Sequence, residues 1–304
     1  MDYCVLELYT LHSITMDYQP STMDSKLFTI NTGLFKLDGG AMFGVVPKGI
    51  WNKTNPADEN NLCTLAMRCL LVQDGDRLIL IDTGIGTKLS PKVLPYYHLH
   101  GDDTLDKSLA SHGFSADDIT DVFLTHLHVD HVGGAVAYQG NTLAPAFKNA
   151  IYWSNQEHWD WATVNPNDRE KASFLKENLM PLQDSGKLKF LPVEEGLQFT
   201  PNMQVHFVSG HTKGMMLPVL QYKGRRVMFV ADLFPTTGHL PIPYVAAYDM
   251  FPLQAMNEKR HWLHKALQED YIFYFEHDAL NECCTLQQTD KGIRVQTVFK
   301  LADI

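Results

Sequence analysis

The sequence lacks the features that mark secreted, membrane-spanning and disulfide-bonded proteins. No run of about eighteen apolar residues occurs in it, which argues against a membrane-spanning helix. Residues 1–20 show neither the basic segment nor the apolar core of a signal peptide. The five cysteines form no C-x-x-C pair, so they indicate neither a structural zinc site nor a redox motif. We therefore expect a cytoplasmic protein with reduced thiols.

Basic residues are also scarce. Asp and Glu number 35 against 25 Lys and Arg, which gives a net charge of −10. Because nucleic-acid-binding proteins concentrate Lys and Arg against phosphate, we expect neither nucleic acid nor a membrane as a partner. The expected partner is a small-molecule substrate, neutral or weakly charged and with an apolar part. A homodimer is left open.

No repeat and no Gly/Ser/Pro-rich linker divides the chain, and its 45% hydrophobic content is enough for a large core. We expect an N-terminal leader over residues 1–25, which could add a strand, and one domain over residues 26–304. Strands outnumber helices and the helices fall between them, which predicts sheet packed on sheet with helices outside. The predicted strands are 65–72, 77–81, 121–125, 150–153, 187–191, 204–208, 216–222, 225–230, 271–275 and a hairpin within 285–299, and the predicted helices are 104–112, 154–163, 168–179 and 253–268.

Four candidate metal ligands stand within the six-residue run His126-Leu127-His128-Val129-Asp130-His131. Imidazole and carboxylate together favour zinc or a similar divalent metal over calcium or magnesium. Alternate residues of an extended segment point the same way, so His126 and His128 can hold one ion while Asp130 and His131 face a second. A solvated polar loop would not need this density of ligand types.

Three further candidate ligands, His211, Asp232 and His277, also follow predicted strands. Taken singly, each of them would more often have a structural role. Together with the histidine run they belong to a series of motifs in fixed order: Asp82-Thr83-Gly84, His126 to His131, Gly210-His211-Thr212, Ala231-Asp232 and Glu276-His277-Asp278. In this series the sequence resembles the metallo-beta-lactamase superfamily, from about Thr29 to Phe299.

The resemblance implies an α/β fold, the alpha-beta/beta-alpha four-layer sandwich of two mixed sheets with outer helices. It also implies two divalent metal ions per chain, with zinc expected and manganese, cobalt or iron as alternatives. In the pattern of the dinuclear members, His126, His128 and His211 hold one metal, Asp130, His131 and His277 hold the other, and Asp232 bridges both.

Within the superfamily, the sequence is most similar to quorum-quenching N-acyl homoserine lactonases and to methyl parathion hydrolase-like enzymes. Beta-lactamases would carry a cysteine in place of Asp232, and flavodiiron proteins a carboxylate in place of His128. Met215 stands where the glyoxalase-like branch has a second histidine. The resemblance implies a dinuclear zinc hydrolase whose metal-bridging hydroxide opens a lactone or cleaves a related ester, with N-acyl homoserine lactone as the expected substrate. The alternatives are a phosphotriesterase or arylesterase of the same fold, and a mononuclear iron oxygenase.

The groups that would move protons are predicted from position alone. Asp130 is the candidate proton shuttle, with a role as a metal ligand alone equally open. Pro235 stands where many lactonases carry a tyrosine that assists the carbonyl. We therefore predict His239 and Tyr244, in the Pro- and Gly-rich segment that follows, as catalytic substitutes, with surface packing as the alternative for both.

A second Gly-rich segment contains Phe43 and Trp51, which we predict to line the substrate pocket together with Tyr248. Core packing is the alternative for Phe43 and Trp51 and surface packing for Tyr248. Asp82 is predicted to orient the ligand loop through hydrogen bonds, with a purely structural turn as its alternative.

Overall fold

The computed structural model describes residues 25–164 and 166–304, so the predicted leader lies outside the described residues apart from Ser25. The strands are β1 Lys26–Asp38, β2 Leu62–Asp74, β3 Arg77–Ile81, β4 Asp121–Phe123, β5 Val136–Gln139, β6 Thr142–Pro145, β7 Ile151–Asn155, β8 Leu188–Leu191, β9 Leu197–Thr200, β10 Met203–Val208, β11 Met215–Tyr222, β12 Arg225–Phe229, β13 Ile272–Tyr274, β14 Cys283–Thr289 and β15 Gly292–Phe299. The helices are α1 Gly39–Phe43, α2 Lys48–Trp51, α3 Leu105–Ser111, α4 Val129–Val132, α5 Gln156–Thr163, α6 Lys176–Asp184 and α7 Pro252–Gln268. Among these described helices, none combines the length and the apolar character needed to cross a membrane.

Two mixed sheets form the centre of the fold. The first has six strands in the order β1-β2-β3-β4-β7-β8, and the second has seven in the order β15-β14-β13-β12-β11-β10-β9. Parallel pairing joins β3, β4, β7 and β8 in the first sheet and β12 with β13 in the second. The remaining neighbours within these two sheets pair antiparallel.

The alternation of side chains along β2 and β3 shows how the layers meet. Leu70 and Ile79 lie in a buried cluster with side chains of the second sheet and with Leu263 of α7. Leu71 and Leu80 point to the opposite face and pack in a cluster with residues of α3, α5 and α6. Since successive residues of a strand face opposite ways, one sheet contacts both the other sheet and the outer helices. The predicted sandwich of two mixed sheets with outer helices is confirmed.

The helix predicted over residues 168–179 is wrong for residues 168–175. In the structure α6 begins at Lys176, and turns precede it. The cause is tertiary, because Glu170 points inwards and contacts His128. β1, the β5–β6 hairpin and β9 were not predicted as strands; the residues of β1 are mostly half-buried, which gives its sequence a weak alternation.

Two glycines hold the histidine loop close to the loop after β3. A Cβ atom on Gly133 would lie 2.1 Å from the carbonyl oxygen of Ile85, and one on Gly134 would lie 2.2 Å from that of Thr83. Only glycine permits backbones to approach this closely. The two loops are therefore packed tightly against each other beneath the candidate ligands.

Arg68 joins the two sheets beside His277. It lies on β2, is 7% exposed, and its Nη1 donates hydrogen bonds to the carbonyl oxygens of Phe275 and Asp278 at 2.8 and 2.9 Å. These carbonyls flank the turn that carries His277. The guanidinium thus fixes the end of β13 against the first sheet.

We predict that Arg68→Met lowers the free energy of unfolding by about 2–4 kcal/mol, because two charge-assisted hydrogen bonds are lost and two buried carbonyls lose their donor. Urea unfolding followed by circular dichroism measures this. The matched control is Arg226→Gln, which removes an ion pair whose side chains are 41% and 33% exposed and should cost less than about 1 kcal/mol. Equal losses in the two variants would contradict the role given to Arg68.

Candidate metal centre

The first group of candidate ligands consists of three histidines from two loops. Nδ1 of His128 lies 3.0 Å from Nε2 of His126 and 3.1 Å from Nε2 of His211. Ligand atoms about 2.0–2.1 Å from a tetrahedral ion are about 3.3 Å apart. The three nitrogens therefore fit around one ion with little adjustment.

The second group lies beside the first and shares Asp232 with it. Oδ1 of Asp232 is 3.0 Å from Nε2 of His277 and 3.4 Å from Nε2 of His131, while Oδ2 is 3.3 Å from Nε2 of His211. Oδ2 of Asp130 is 3.9 Å from Nε2 of both His131 and His277. One oxygen of Asp232 thus faces each group, as a bridging carboxylate would.

Each of the five histidines has one ring nitrogen that faces the candidate metal centre and an outward nitrogen that faces away from it. Each outward nitrogen contacts an oxygen that can accept a hydrogen bond, and the hydroxyl among them, on Thr125, already donates its own proton to Asp82. The pairs are His126 Nδ1 with Thr125 Oγ1 (3.1 Å), His128 Nε2 with Glu170 Oε1 (2.8 Å), His131 Nδ1 with Asp82 Oδ2 (3.0 Å), His211 Nδ1 with Asp249 Oδ1 (2.8 Å) and His277 Nδ1 with the Ala66 carbonyl (2.8 Å).

These acceptors favour the tautomer with its proton on the outward nitrogen, which leaves the inward nitrogen able to bind a metal ion. This arrangement of an acceptor behind each imidazole is the one that metal-ligating histidines have in proteins. Oδ1 of Asp232 is buried and lies among these inward nitrogens, 3.0 Å from Nε2 of His277. A buried carboxylate needs a compensating positive charge, and this set of imidazole and carboxylate donors fits divalent metal ions.

Three of the carboxylates behind the histidines were not foreseen from the sequence. Glu170 lies between α5 and α6 and Asp249 before α7, so neither adjoins a motif, whereas Glu276 directly precedes His277 and contacts Nδ1 of His131 at 3.0 Å. Burial opposes the ionisation of Glu170, but hydrogen bonding by His128 outweighs it and lowers the pKa of the carboxyl to about 2. Of the three, only Glu276 could have been predicted from the sequence, because it stands next to a motif histidine.

Asp82 lies beneath the histidine loop, as the sequence suggested. Its Oδ1 accepts from the backbone N–H of Thr125 at 2.8 Å, and its Oδ2 accepts from the hydroxyl of the same residue at 2.6 Å and from His131. The residue is fully buried and has a φ of 58°. Its carboxylate therefore connects the start of the loop to one of the candidate ligands.

The prediction that His239 is catalytic does not agree with the structure. Its Nδ1 contacts Oγ1 of Thr236 at 2.8 Å, its Nε2 contacts the carbonyl oxygen of Met42 at 2.9 Å, and it is 1% exposed. Burial lowers its pKa to about 3. With both nitrogens engaged, His239 supports the fold and has no atom left for a substrate.

Phe43 and Trp51 were predicted to line the substrate pocket, but in the structure both pack in the core. Their rings are stacked with centroids 5.2 Å apart, and Phe43 also stacks on His239 at 4.2 Å. Both residues are buried, with exposed fractions of 0% and 2%. The Gly-rich sequence around them allows this tight packing and does not place their rings at the pocket.

The structure places Tyr244 and Tyr248 on different surfaces. Tyr244 packs edge-on against Phe43, with centroids 6.4 Å apart, and borders a cleft formed with Leu263 and Ile293, away from the candidate ligands. Its predicted catalytic role is therefore not supported. Tyr248 borders the same pocket as Asp130 and Asp232, and its ring lies 5.9 Å from that of His211.

This pocket has a volume of about 200 Å³ and opens directly on the candidate ligands. Leu37 and Val129 provide apolar walls, and Tyr97, Tyr248 and Arg169 provide polar groups. Asp130 is 15% exposed at its side chain, so one candidate ligand remains accessible to a bound molecule. The arrangement is that of an open catalytic site and not of a closed structural one.

Comparison with known proteins decides the family. Residues 68–277 match the sequence model of the metallo-beta-lactamase superfamily. The chain belongs to this superfamily. The resemblance seen in its motifs is thereby confirmed, and the protein is a metal-dependent hydrolase whose clustered histidines and aspartates make up a dinuclear metal site.

Three similar proteins span nearly the whole chain. A probable metal-dependent hydrolase from Staphylococcus aureus has 31% sequence identity and a TM-score of 0.82, over 91% of this chain and 97% of the other. An N-acyl homoserine lactonase from Bacillus cereus is 22% identical over 272 residues, which cover 84% of this chain and 94% of the relative. The dizinc quorum-quenching lactonase AidC, solved with the product N-hexanoyl-L-homoserine, has 22% identity and a TM-score of 0.73 over 91% and 95% of the two chains, and it shares the fold.

We predict that Asp249→Asn weakens metal binding by about 10- to 100-fold, because His211 loses the carboxylate that orients its ring and raises its basicity. Competition with a chromophoric chelator measures the affinity. The control is Asp160→Asn, which changes an exposed carboxylate of α5 that accepts a hydrogen bond from Gln156. An unchanged affinity in the Asp249 variant would show that its carboxylate does not act on the metal site.

Proposed function

We propose that this superfamily member is a dinuclear zinc hydrolase that opens lactone rings, with N-acyl homoserine lactones as substrates. The observation that carries the proposal is the set of five inward-pointing imidazole nitrogens arranged in two groups around Asp232. Similarity to named N-acyl homoserine lactonases over 84% of the chain supports the choice of substrate.

The proposed ligand set is His126, His128 and His211 for one ion and Asp130, His131 and His277 for the other, with Asp232 between them. Zinc is proposed because imidazole with a few carboxylates suits its borderline character, and manganese, cobalt and iron are the alternatives that metal analysis separates. The four described cysteines are all free and buried, which supports the proposed cytoplasmic location.

When bound, two such ions lower the pKa of water to about 7 and polarise the ester carbonyl. The chain itself must then hold the substrate and supply a proton to the leaving alkoxide. We assign the proton transfer to Asp130, because its side chain is accessible from the pocket and lies among the candidate ligands. One of its oxygens can face a metal while the other accepts the proton that the attacking water releases and passes it to the leaving alkoxide.

Tyr248 is proposed to donate a hydrogen bond to the carbonyl oxygen of the substrate. Its hydroxyl contacts only Sδ of Met42 among the described residues, at 3.0 Å. A thioether is a weak acceptor, so the hydroxyl proton is available to a better one. Burial and the nearby Asp232 raise the pKa of Tyr248 well above its usual value, which keeps the hydroxyl protonated. This residue would replace the tyrosine that the chain lacks at Pro235.

We predict that Tyr248→Phe lowers kcat for lactone hydrolysis on the order of 100-fold, because a donor to the developing oxyanion is lost. The metal content should not change, since the hydroxyl is not among the candidate ligands. Steady-state kinetics and metal analysis on the same preparation test both points. Tyr244→Phe is the matched control and should leave kcat within about twofold.

The proposed function predicts two metal ions per chain and loss of lactone turnover in His126→Ala and Asp232→Ala. Each variant removes a ligand, and Asp232→Ala removes one from both groups. Wild type and variants should be assayed against acyl-homoserine lactones, arylesters, phosphotriesters and beta-lactams, with metals counted in parallel. One iron per chain together with oxygen uptake would instead identify an oxygenase, and preferred turnover of phosphotriesters would identify the second hydrolase class.

A further inference from the structure

Arg169 lies beside the metal site without a role in the metal chemistry. It belongs to the turns between α5 and α6 and borders the pocket together with Asp130 and Asp232. The next residue, Glu170, points inwards to His128. Because that contact fixes the backbone of this turn, the position of Arg169 at the pocket is fixed as well.

The guanidinium of Arg169 reaches across to the opposite side of the pocket. Its Nη2 donates to the carbonyl oxygen of Ala247, directly before Tyr248. A guanidinium has five N–H groups, so this single hydrogen bond leaves others free. The contact therefore positions the side chain between the two segments without using up its capacity to bind a ligand.

Arg169 has no carboxylate partner among residues 25–164 and 166–304. Arg225 and Arg226, by contrast, form ion pairs with Asp270 and Glu269. The carboxylate of Glu170, next in sequence, already accepts hydrogen bonds from His128 and Trp161. A free guanidinium at a substrate pocket is suited to an oxygen of the substrate.

The size of the pocket indicates which part of a substrate that oxygen belongs to. Its volume of about 200 Å³ is below the roughly 300–1,000 Å³ of sites that enclose a drug-sized ligand. A lactone ring and the group next to it can be enclosed, while a longer chain must extend outwards. The guanidinium, which is exposed and reaches across the pocket, is therefore near the group attached to the ring and not near the scissile bond.

We propose that Arg169 determines specificity by binding an acceptor oxygen on the substituent next to the reacting lactone ring. This inference rests on the proposed lactonase function and narrows its substrates to lactones that carry an amide or carboxylate there. A simple alkyl lactone, which lacks that oxygen, gains nothing from Arg169. The residue acts in substrate binding, so its contribution falls mainly on KM.

The test compares two lactones on the metal-loaded wild-type enzyme and on Arg169→Gln. One is N-hexanoyl homoserine lactone, which has the amide, and the other is a γ-alkyl lactone of similar length, which lacks it. Loss of a charge-assisted hydrogen bond should lower kcat/KM for the amide substrate by about 10- to 100-fold, mainly through KM, and that for the alkyl lactone by less than about threefold. Calorimetry with the ring-opened N-hexanoyl homoserine should show a similar loss of affinity.

Arg169→Lys and Arg226→Gln complete the design. The lysine variant keeps the charge but lacks the planar fork, so it should recover only part of the selectivity. Arg226→Gln should leave kcat/KM unchanged for both substrates. If Arg169 served only to hold the two segments together, kcat/KM would fall equally for both lactones. That result, or an unchanged selectivity, overturns the inference about Arg169 but leaves the lactonase proposal intact. Failure of the wild-type enzyme to open either lactone overturns the lactonase proposal and the inference with it.

A variant with an unstable fold would be recognised by its melting temperature. In that event, ethylguanidinium is added to Arg169→Ala to replace the missing guanidinium, and kcat/KM is measured for both lactones. If the defect were merely structural, the added compound would not affect the two substrates differently. Rescue confined to the amide substrate supports the inference, and equal or absent rescue overturns it.

Discussion

The carboxylate of Asp232 is the constraint on which the rest of the site depends. Its two oxygens face different groups of histidines, so the positions of both groups are fixed relative to one side chain. Asp232 follows β12 in a turn where Ala231 has a φ of 42°, a conformation that costs a non-glycine residue about 1 kcal/mol or more. The surrounding strands must offset that cost, and β11 and β13 do so by pairing with β12 on both sides.

The carboxylates around this centre link metal binding to folding. Asp82 and Asp232 are each less than 7% exposed, and both contact His131. Buried negative charge without compensation is strongly destabilising. Hydrogen bonds from imidazole offset part of it, and divalent ions bound to the inward nitrogens would offset much of the remainder. Metal binding to the folded chain would therefore also stabilise it.

The sequence predicted the architecture and the clustered ligands because both depend on local patterns. Continuous apolar runs joined by Asp74-Gly75-Asp76 indicate β2 and β3, and the histidine run places its ligands within a single loop. The outer acceptors escaped prediction because Glu170 and Asp249 reach the site only through the tertiary fold. His239 and Phe43 were misjudged for the same reason, since their positions near motifs say nothing about how deeply they are buried. Composition and spacing thus predict what can bind a metal, but not what shapes the substrate pocket.

Tyr248 and Arg169 illustrate how such a pocket can change while the metal site stays constant. Both lie on irregular segments outside the two sheets, and the hydrogen bond from Arg169 to Ala247 joins these segments directly. Each segment also carries an outer acceptor, Glu170 in one and Asp249 in the other, for histidines of the same group. Substitutions at the two positions that border the pocket can therefore alter the substrate, whereas the buried neighbours in the same segments are constrained by the metal. In each segment, the residue that borders the pocket and the residue that supports a metal ligand are neighbours in the chain, and their side chains point in different directions.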